Sequence, residues 1–193
     1  MRFFDIPKPS LDSTRQMFLE LESDERVSKV DLGIGIYRDE NGLAPIFKSV
    51  KKAEKILFEV EKSKSYKTPA GNSKYCKNIL DLVLGRAIID ERGDKIGSIQ
   101  IPGAGSGLRI AGELIKNNLQ NKLISIPDPT WGQQPFMFKK SGLTVINHTY
   151  YNQQNNFLDF DNMIKDIKKL KSGDAVLLHG CCHNPTGADL TVD

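Results

Sequence analysis

Residues 179–187 read His-Gly-Cys-Cys-His-Asn-Pro-Thr-Gly, directly after the apolar run Ala-Val-Leu-Leu at 175–178. An apolar run of this length followed by a polar, glycine-containing segment predicts a buried strand that ends in a loop. Asn184 precedes Pro185, which keeps it out of helical geometry and permits a cis peptide bond. An asparagine held in this way can direct its side-chain amide at a ligand oxygen.

Strands and helices alternate in the part of the chain that leads to this motif. Short apolar runs lie at 98–102, 122–127, 143–150 and 175–179, and helical stretches lie between them at 107–118, 132–141 and 159–170. This alternation is typical of βαβ units and predicts an α/β fold with a mostly parallel sheet. Ligands of such sheets bind at the carboxyl ends of the strands, so the loops after the runs form the candidate site.

The first part of the chain has a different pattern. Residues 1–11 contain two prolines and predict an extended arm. Residues 31–37 are too rich in glycine for a strong strand and lead to an Asn-Gly turn signal. Apolar side chains at helical spacing predict three helices, the last of them stopped by Gly85, at 13–22, 47–61 and 73–84.

The loop after the first apolar run reads Pro-Gly-Ala-Gly-Ser-Gly at 102–107. Small residues let a backbone approach a ligand, and a helix start presents free N–H groups, so one interpretation is a phosphate site. A glycine-rich turn without any ligand fits the sequence equally well. A dinucleotide fingerprint is a weaker alternative, because no suitable acidic residue ends the next strand, and the Gly-Lys-Ser/Thr of a Walker loop is absent.

Trp131 is the only tryptophan of the chain and lies in the loop Asp-Pro-Thr-Trp at 128–131. A single tryptophan commonly belongs to a protein core. In a loop that follows a strand, its ring can instead stack on a planar cofactor. The sequence leaves both interpretations open.

His179 and His183 flank Cys181 and Cys182, an arrangement that suggests metal ligands. Adjacent cysteines rarely hold one metal ion well, and the sequence places no further ligand cluster nearby, so we predict no metal site. The two cysteines are predicted to be small, buried apolar side chains.

Composition narrows the class of protein. Hydrophobic residues make up 39% and charged residues 26% of the chain, which favours a soluble globular protein. The net charge is only +3, with basic and acidic residues interleaved, so we predict no nucleic-acid partner. No stretch approaches the roughly 18 apolar residues of a membrane span. Three cysteines are a poor disulfide framework and favour a reducing, cytoplasmic location.

Together, the three loops resemble those of the aspartate and aromatic-amino-acid aminotransferases. The motif at 179–187 is similar to that family's Asn-Pro-Thr-Gly signature, and Asp-Leu-Gly-Ile-Gly-Ile-Tyr-Arg-Asp-Glu at 31–40 is similar to its substrate segment. Residues 63–66 and the Asp-Pro-Thr-Trp loop match as well. The resemblance implies the fold-type-I scaffold of class I pyridoxal-phosphate enzymes. It also implies two parts: 1–45, the arm and the start of the small domain, and 46–193, the first part of the large cofactor-binding domain.

The resemblance implies which residues bind the cofactor, pyridoxal 5'-phosphate. The backbone of Gly103, Ala104 and Gly105 would cradle its phosphate. Trp131 would stack on its pyridine ring, and Asn184 would donate a hydrogen bond to its phenolic oxygen.

Further contacts follow from the same resemblance. Tyr66 would reach the partner's phosphate in a homodimer, and His179 would support the aspartate that binds the pyridinium nitrogen. The substrate, an L-amino acid or a 2-oxo acid, would contact Ile34, Gly35, Trp131 and Asn184.

Two positions depart from the family pattern. The family usually has a threonine or serine at the position of Gly105, so one hydroxyl contact to the phosphate is missing. Ser106 can supply that hydroxyl instead if the loop shifts. Gln134 stands where the family commonly has a histidine behind the aspartate of the cofactor site.

In this family the Schiff-base lysine and the substrate-binding arginines lie further along than Asp193. We therefore expect this sequence to be the N-terminal half of such an enzyme, without catalytic residues and inactive alone. The whole enzyme would move an amino group between an L-amino acid, aspartate or aromatic, and a 2-oxo acid. The alternative is a catalytically inactive remnant that acts as a dimerisation or interaction module.

Overall fold

The structure, a computed structural model, describes residues 13–31 and 33–191. They form two compact units that divide between Ser65 and Tyr66. The predicted arm at 1–11 lies outside the described residues. The predicted domain boundary after residue 45 stays a prediction.

The first unit contains two helices, α1 (Ser13–Ser23) and α2 (Lys48–Val60). They confirm the helices predicted at 13–22 and 47–61. The described residues of 31–37 form no strand, as their glycine content predicts. In α2 none of the residues is buried, and its apolar side chains are exposed, with Phe58 at 89%.

The second unit opens with two helices and a short 3₁₀ turn, which are α3 (Ser73–Leu84), α4 (Arg86–Arg92) and Gly93–Lys95. The Asn72 side chain caps α3 by accepting the N–H of Tyr75 at 3.1 Å. Gly85 ends α3 with a φ of +77°, a backbone conformation that glycine adopts without strain. The predicted stop at Gly85 is confirmed, whereas α4 was not predicted.

The parallel sheet follows in the second unit. Its strands are β1 (Leu123–Asp128), β2 (Thr144–Thr149) and β5 (Ala175–Val176), in the order β2-β1-β5. The helices between and before them are α5 (Ala104–Asn118), α6 (Gln133–Lys140) and α7 (Phe160–Ile167). All pairings in this sheet are parallel, with Ser125 opposite Ile146 and Val176. The predicted α/β fold is confirmed.

A separate two-stranded antiparallel hairpin is formed by β3 (Tyr151–Asn152) and β4 (Phe157–Leu158). This hairpin was not predicted.

The strand predicted at 98–102 is wrong. These residues have no strand assignment, and the N–H of Gln100 pairs with the carbonyl oxygen of Ala70 at 2.9 Å. An apolar run becomes a strand only where a neighbouring strand completes its hydrogen-bond ladder. No strand in the described part of the chain lies beside this run.

Helices α5 and α6 cover one face of the sheet. Buried Ile124 and Ile126 of β1 pack with Phe138 and Leu143 on this face. Gly112 of α5 meets Ser141 so closely that a Cβ added to the glycine would lie 2.4 Å from the serine Oγ. Near the start of α5, Gly105 lies opposite Met137, and further along, Gly112 lies opposite Ser141. Residue numbers thus increase in the same sense on both helices, so α5 and α6 run in the same direction.

Candidate functional site

Three loops meet at the carboxyl edge of the sheet. Strand β1 returns antiparallel to α5, and α6 follows directly after β1, so the amino ends of both helices lie where β1 ends. The loop after β5 reaches the same edge, because the side chain of His179 meets that of Gln134 at the start of α6. The start of α5 lies beside α6 as well, since a Cβ added at Gly105 would lie 3.6 Å from Met137 Cε. That the loops at 102–107, 128–131 and 179–187 form one ligand site stays a prediction.

The amino end of α5 presents unpaired backbone N–H groups. The first hydrogen bond at this end runs from the N–H of Gly107 to the carbonyl oxygen of Gly103 at 3.1 Å. The N–H groups of Ala104, Gly105 and Ser106 therefore lie before the helix ladder begins, and Gly103 has no side chain to cap them. Such N–H groups bind anions. A side chain at Gly105 would find room, since an added Cβ makes only an ordinary 3.6 Å contact with Met137 Cε.

Trp131 is half-buried in the loop after β1. Its carbonyl oxygen accepts the N–H of Gln134 at 2.9 Å, which fixes the loop to the first turn of α6. The peptide bond between Asp128 and Pro129 in this loop is cis. The indole is thus neither fully enclosed in the core nor free in solvent, and its partly exposed surface is open to a planar ligand.

The Asn184 loop is fixed through its backbone. The N–H of Asn184 donates to Nδ1 of His179 at 3.1 Å, and the N–H of Gly187 donates to the carbonyl oxygen of His183 at 2.7 Å. The Asn184–Pro185 bond is cis, the conformation that the sequence permits. The side chain of Asn184 is exposed, so it is accessible to a ligand.

Three aromatic rings stack beneath this loop. The ring of His183 lies 3.9 Å from that of Tyr150 and 4.3 Å from that of His179, measured between centroids. Burial lowers the pKa of His179 and of His183, so both imidazoles are neutral near pH 7. The loop therefore rests on a neutral stack of rings.

Asp189 holds the other side of the loop. Its carboxylate accepts the N–H groups of Cys182 at 2.7 Å and of His183 at 2.8 Å. These two backbone hydrogen bonds lower the pKa of Asp189. Sequence reasoning missed this clamp, because an aspartate seven residues after Cys182 carries no motif of its own.

The prediction that Cys181 and Cys182 are buried is wrong. Both are exposed, and Cys76 is the buried cysteine of the described residues. Cys182 has a φ of +52°, and the hydrogen bond with Cys181 raises the pKa of its thiol. The exposure of the two thiols depends on the backbone conformation of this loop, which the residue types do not reveal.

The remaining predicted residues lie elsewhere. Tyr66, at the start of the second unit, is fully exposed. Ile34 and Gly35 belong to the first unit, where the carbonyl oxygen of Ile34 accepts the N–H of Ile36 at 2.8 Å. Their assignments to cofactor and substrate stay predictions.

A metal site and a membrane-spanning helix are both lacking from the described residues. Residues 13–31 and 33–191 contain no group of three or more His, Cys, Asp or Glu side chains placed to hold a metal ion. In the same ranges, no helix combines the length and apolar character needed to cross a membrane.

A cleft of about 700 Å³ lies at the amino ends of the strands, lined by Asn121, Thr144, Lys169 and Asp174 among others. Its position is opposite to the edge where parallel sheets bind ligands.

Comparison with known proteins decides the family. Residues 27–193 match the family model described as Aminotransferase class I and II. The chain belongs to the class I and II aminotransferases.

Relatives among the aminotransferases include two curated bacterial enzymes. The aspartate aminotransferase of Escherichia coli K12 is 38% identical over 173 residues, covering 89% of this chain and 43% of the relative. The aromatic-amino-acid aminotransferase of Pseudomonas aeruginosa is 40% identical over 174 residues, with the same coverage of 89% and 43%. The chain therefore spans less than half the length of these aminotransferases.

A solved aminotransferase has the same fold. The crystal structure of an aromatic-amino-acid aminotransferase from Burkholderia pseudomallei, covalently bound to pyridoxal phosphate, matches with a TM-score of 0.91 and 29% identity. The match covers 100% of this chain and 48% of that one. The resemblance stated from the sequence, and the fold that it implies, are confirmed.

Proposed function

We propose that this chain supplies cofactor-binding elements of an aminotransferase that moves an amino group between an L-amino acid and a 2-oxo acid. Pyridoxal 5'-phosphate is the proposed cofactor. One observation carries the proposal: the uncapped start of α5, the half-buried Trp131 and the fixed Asn184 loop lie at one edge of the parallel sheet. This combination suits a phosphorylated, planar, oxygen-bearing molecule.

The residues present fit pyridoxal phosphate. The N–H groups of Ala104, Gly105 and Ser106 would bind the phosphate, since they precede the helix ladder and Gly103 leaves the approach open. Trp131 would stack on the ring, and the exposed amide of Asn184 would donate to the phenolic oxygen. When bound, the cofactor supplies the electron sink of the reaction, while the protein orients it.

Other parts of the protein would complete the site. Ile34 and Gly35 would contact the substrate, and the exposed Tyr66 would contact the phosphate of the partner in a homodimer. His179 would act through its neighbours rather than on the reacting atoms. The free thiols of Cys76, Cys181 and Cys182 support a reducing, cytoplasmic compartment.

We propose that the 193-residue chain alone does not transaminate. Transamination needs a lysine as imine partner and as the base that moves the α-proton. The loops at 102–106, 128–132 and 177–191 contain no lysine. Aspartate and aromatic amino acids are both candidate substrates, because relatives of both kinds match the chain similarly.

A second candidate function, an interaction module, has its own observation. The sheet face opposite α5 and α6 exposes Ile146 at 38%, Val176 at 38% and Leu178 at 46%. An apolar sheet face commonly packs against another layer. We propose a second copy of the chain as the occupant, and sedimentation velocity over a tenfold concentration range would detect a dimer. A strictly monomeric chain would contradict this candidate.

The cofactor proposal is tested best with pyridoxamine 5'-phosphate. The aldehyde of pyridoxal phosphate condenses with lysines anywhere on the surface, whereas the amine form does not. Trp131 is the only tryptophan, so its fluorescence reports on this site alone. We expect saturable quenching that inorganic phosphate competes away, and weaker binding of pyridoxamine, which lacks the phosphate.

Matched variants complete this experiment. By calorimetry, Trp131→Leu should weaken pyridoxamine phosphate binding, whereas Phe136→Leu, at an aromatic residue 51% exposed on α6, should not. Equal binding by both variants, or equal binding of pyridoxamine and its phosphate, would contradict the proposed site. In parallel, aspartate and 2-oxoglutarate with pyridoxal phosphate should give no turnover by this chain.

A further inference from the structure

Gln134 is a buried polar residue that joins two of the three loops. It is only 7% exposed, at the start of α6, and meets a side chain 45 residues away. Its amide atoms Nε2 and Oε1 lie 2.9 and 3.2 Å from Nε2 of His179. The hydroxyl of Thr130 lies against the same amide. Which of the two amide atoms pairs with His179 depends on the tautomer of that ring.

The contact at the other ring nitrogen of His179 shows which tautomer this arrangement requires. The backbone N–H of Asn184 can only donate, and it points at Nδ1 of His179 from 3.1 Å. Nδ1 must therefore be the acceptor, and a neutral imidazole then carries its proton on Nε2. That N–H needs an acceptor, and the amide oxygen of Gln134, 3.2 Å away, provides it while it also accepts the hydroxyl of Thr130.

We propose that Gln134 is a positioning residue: it fixes His179 in the Nε2–H tautomer, and His179 thereby holds the backbone of Asn184. The order of contacts is Gln134 to His179 to Asn184, from the start of α6 to the loop after β5. The importance of Asn184 to a ligand rests on the proposed function. The tautomer of His179 does not, because it can be measured without any ligand.

The surroundings of His179 support the neutral form. The ring of His183 stacks on it at 4.3 Å, and burial lowers the pKa of both imidazoles, although the carboxylate of Asp189 acts in the opposite direction. Tyr150 also stacks on His183, with centroids 3.9 Å apart, and a charge on His148 would further lower the pKa of His183. A cationic His179 would direct an Nδ1–H at the N–H of Asn184, so two donors would face each other. The hydrogen bond to Asn184 thus exists only while His179 is neutral.

The test is the two-bond ¹H–¹⁵N correlation of imidazole rings in the ¹⁵N-labelled, ligand-free chain near pH 7.5. In the wild-type chain we expect protonated Nε2 and unprotonated Nδ1 at His179. Gln134→Leu removes the acceptor while keeping much of the volume. We expect it to mix the tautomers and to raise amide exchange at Asn184 by about three- to tenfold, the effect of one hydrogen bond.

Two variants act as controls. Gln134→Glu keeps an acceptor and should retain the Nε2–H tautomer, while its charge raises the pKa of His179. Gln133→Leu, one residue earlier on α6, should leave His179 and Asn184 unchanged. The ring of His148, whose Nδ1 lies 2.9 Å from Ser125 Oγ, reports in the same spectrum whether each variant is folded.

Each result of this experiment either supports or overturns the proposed role of Gln134. A wild-type His179 protonated on Nδ1 overturns the proposal, as does a folded Gln134→Leu variant with an unchanged tautomer and unchanged Asn184 exchange. If Gln134→Leu does not fold, Gln134→Glu decides: Nε2–H supports the proposal, and Nδ1–H overturns it. Failure of pyridoxamine phosphate to bind would affect the proposed function and leave this result standing.

Discussion

The imidazole of His183 lies parallel to the phenol ring of Tyr150, with centroids 3.9 Å apart and planes 12° apart. The hydroxyl of Tyr150 donates to the carbonyl oxygen of Ala188 at 2.7 Å. Tyr150 therefore contacts the Asn184 loop at two points, one on each side of Asn184. Because Tyr150 directly follows β2, the edge strand of the sheet supports the geometry of this loop.

Tyr150→Phe should separate the two contacts of this tyrosine. The variant keeps the ring stack and loses the hydrogen bond to Ala188, so we expect a loss of about 1 kcal/mol in the free energy of unfolding. Tyr150→Leu loses the stack as well and should cost about 3 kcal/mol in total. Urea denaturation followed by circular dichroism measures both. Tyr151→Phe, at the neighbouring half-buried tyrosine, is the control, and an equal loss there would argue against a specific role of Tyr150.

Acidification should destabilise the fold through its histidines. Burial lowers the pKa of His148, His179 and His183 below the ordinary 6.5. As the pH falls through 6.5, the unfolded chain takes up protons that the folded chain does not yet bind. The contribution of these histidines to the free energy of unfolding is fully present above pH 6.5. Below that pH, the free energy of unfolding should drop by up to about 1.4 kcal/mol per pH unit for each histidine.

Urea titrations between pH 8 and pH 5 measure this dependence. His183→Gln should make the slope below pH 6.5 shallower, because one titrating group is gone. The carboxylates of Asp166 and Asp189 also have a lowered pKa, but their contribution is lost only as the pH falls below the ordinary 3.8, outside this range. Stability that stays constant from pH 8 to pH 5 would show that the imidazoles titrate normally.

Gly105→Thr should strengthen phosphate binding at the start of α5. The site has room for the side chain, since an added Cβ lies 3.6 Å from Met137 Cε. A hydroxyl hydrogen-bonded to a phosphate contributes about 1.5 kcal/mol, so we expect roughly tenfold tighter binding of pyridoxamine phosphate. Gly105→Val has the same shape without the hydroxyl and should give no gain. If Val and Thr act alike in calorimetry, the hydroxyl does not reach the phosphate.

Gly112→Ala should disturb the contact between α5 and α6. The added methyl would lie 2.4 Å from Oγ and 2.7 Å from Cβ of Ser141, so one helix must shift. We expect a loss of about 1–3 kcal/mol in the free energy of unfolding, typical of overpacking, despite the better helix propensity of alanine. Adding Ser141→Gly should recover part of this loss. Gly105→Ala in the same helix is the control without a clash.

Helices and loops with local signals could be predicted from the sequence. Apolar spacing and Gly85 gave the bounds of α3, and the alternation of short apolar runs gave β1, β2 and α5 to within a few residues. The run at 98–102 failed for a different reason. Its composition suits a strand, but strand formation depends on a neighbour, and neighbours are not encoded within the run itself.

The site was predictable where residue type alone restricts the chemistry. Asn184 before Pro185 and the small residues at 103–106 could be singled out. The hydrogen bond between His179 and Gln134 spans 45 residues, and that between Tyr150 and Ala188 spans 38, so no local pattern reveals them. The exposure of Cys181 and Cys182, and the hydrogen bonds from the backbone of Cys182 and His183 to Asp189, likewise follow from the loop conformation, which residue types do not predict.

The common direction of α5 and α6 has an electrostatic consequence. The peptide dipoles of both helices turn their positive ends to the same edge of the sheet, although residues 102–106 and 129–132 contain neither lysine nor arginine. An anion is therefore attracted there by the peptide groups themselves, which side-chain substitution does not remove. Surface residues at this edge of the sheet can therefore be substituted while the edge keeps its preference for anions, as long as the two helices stay side by side.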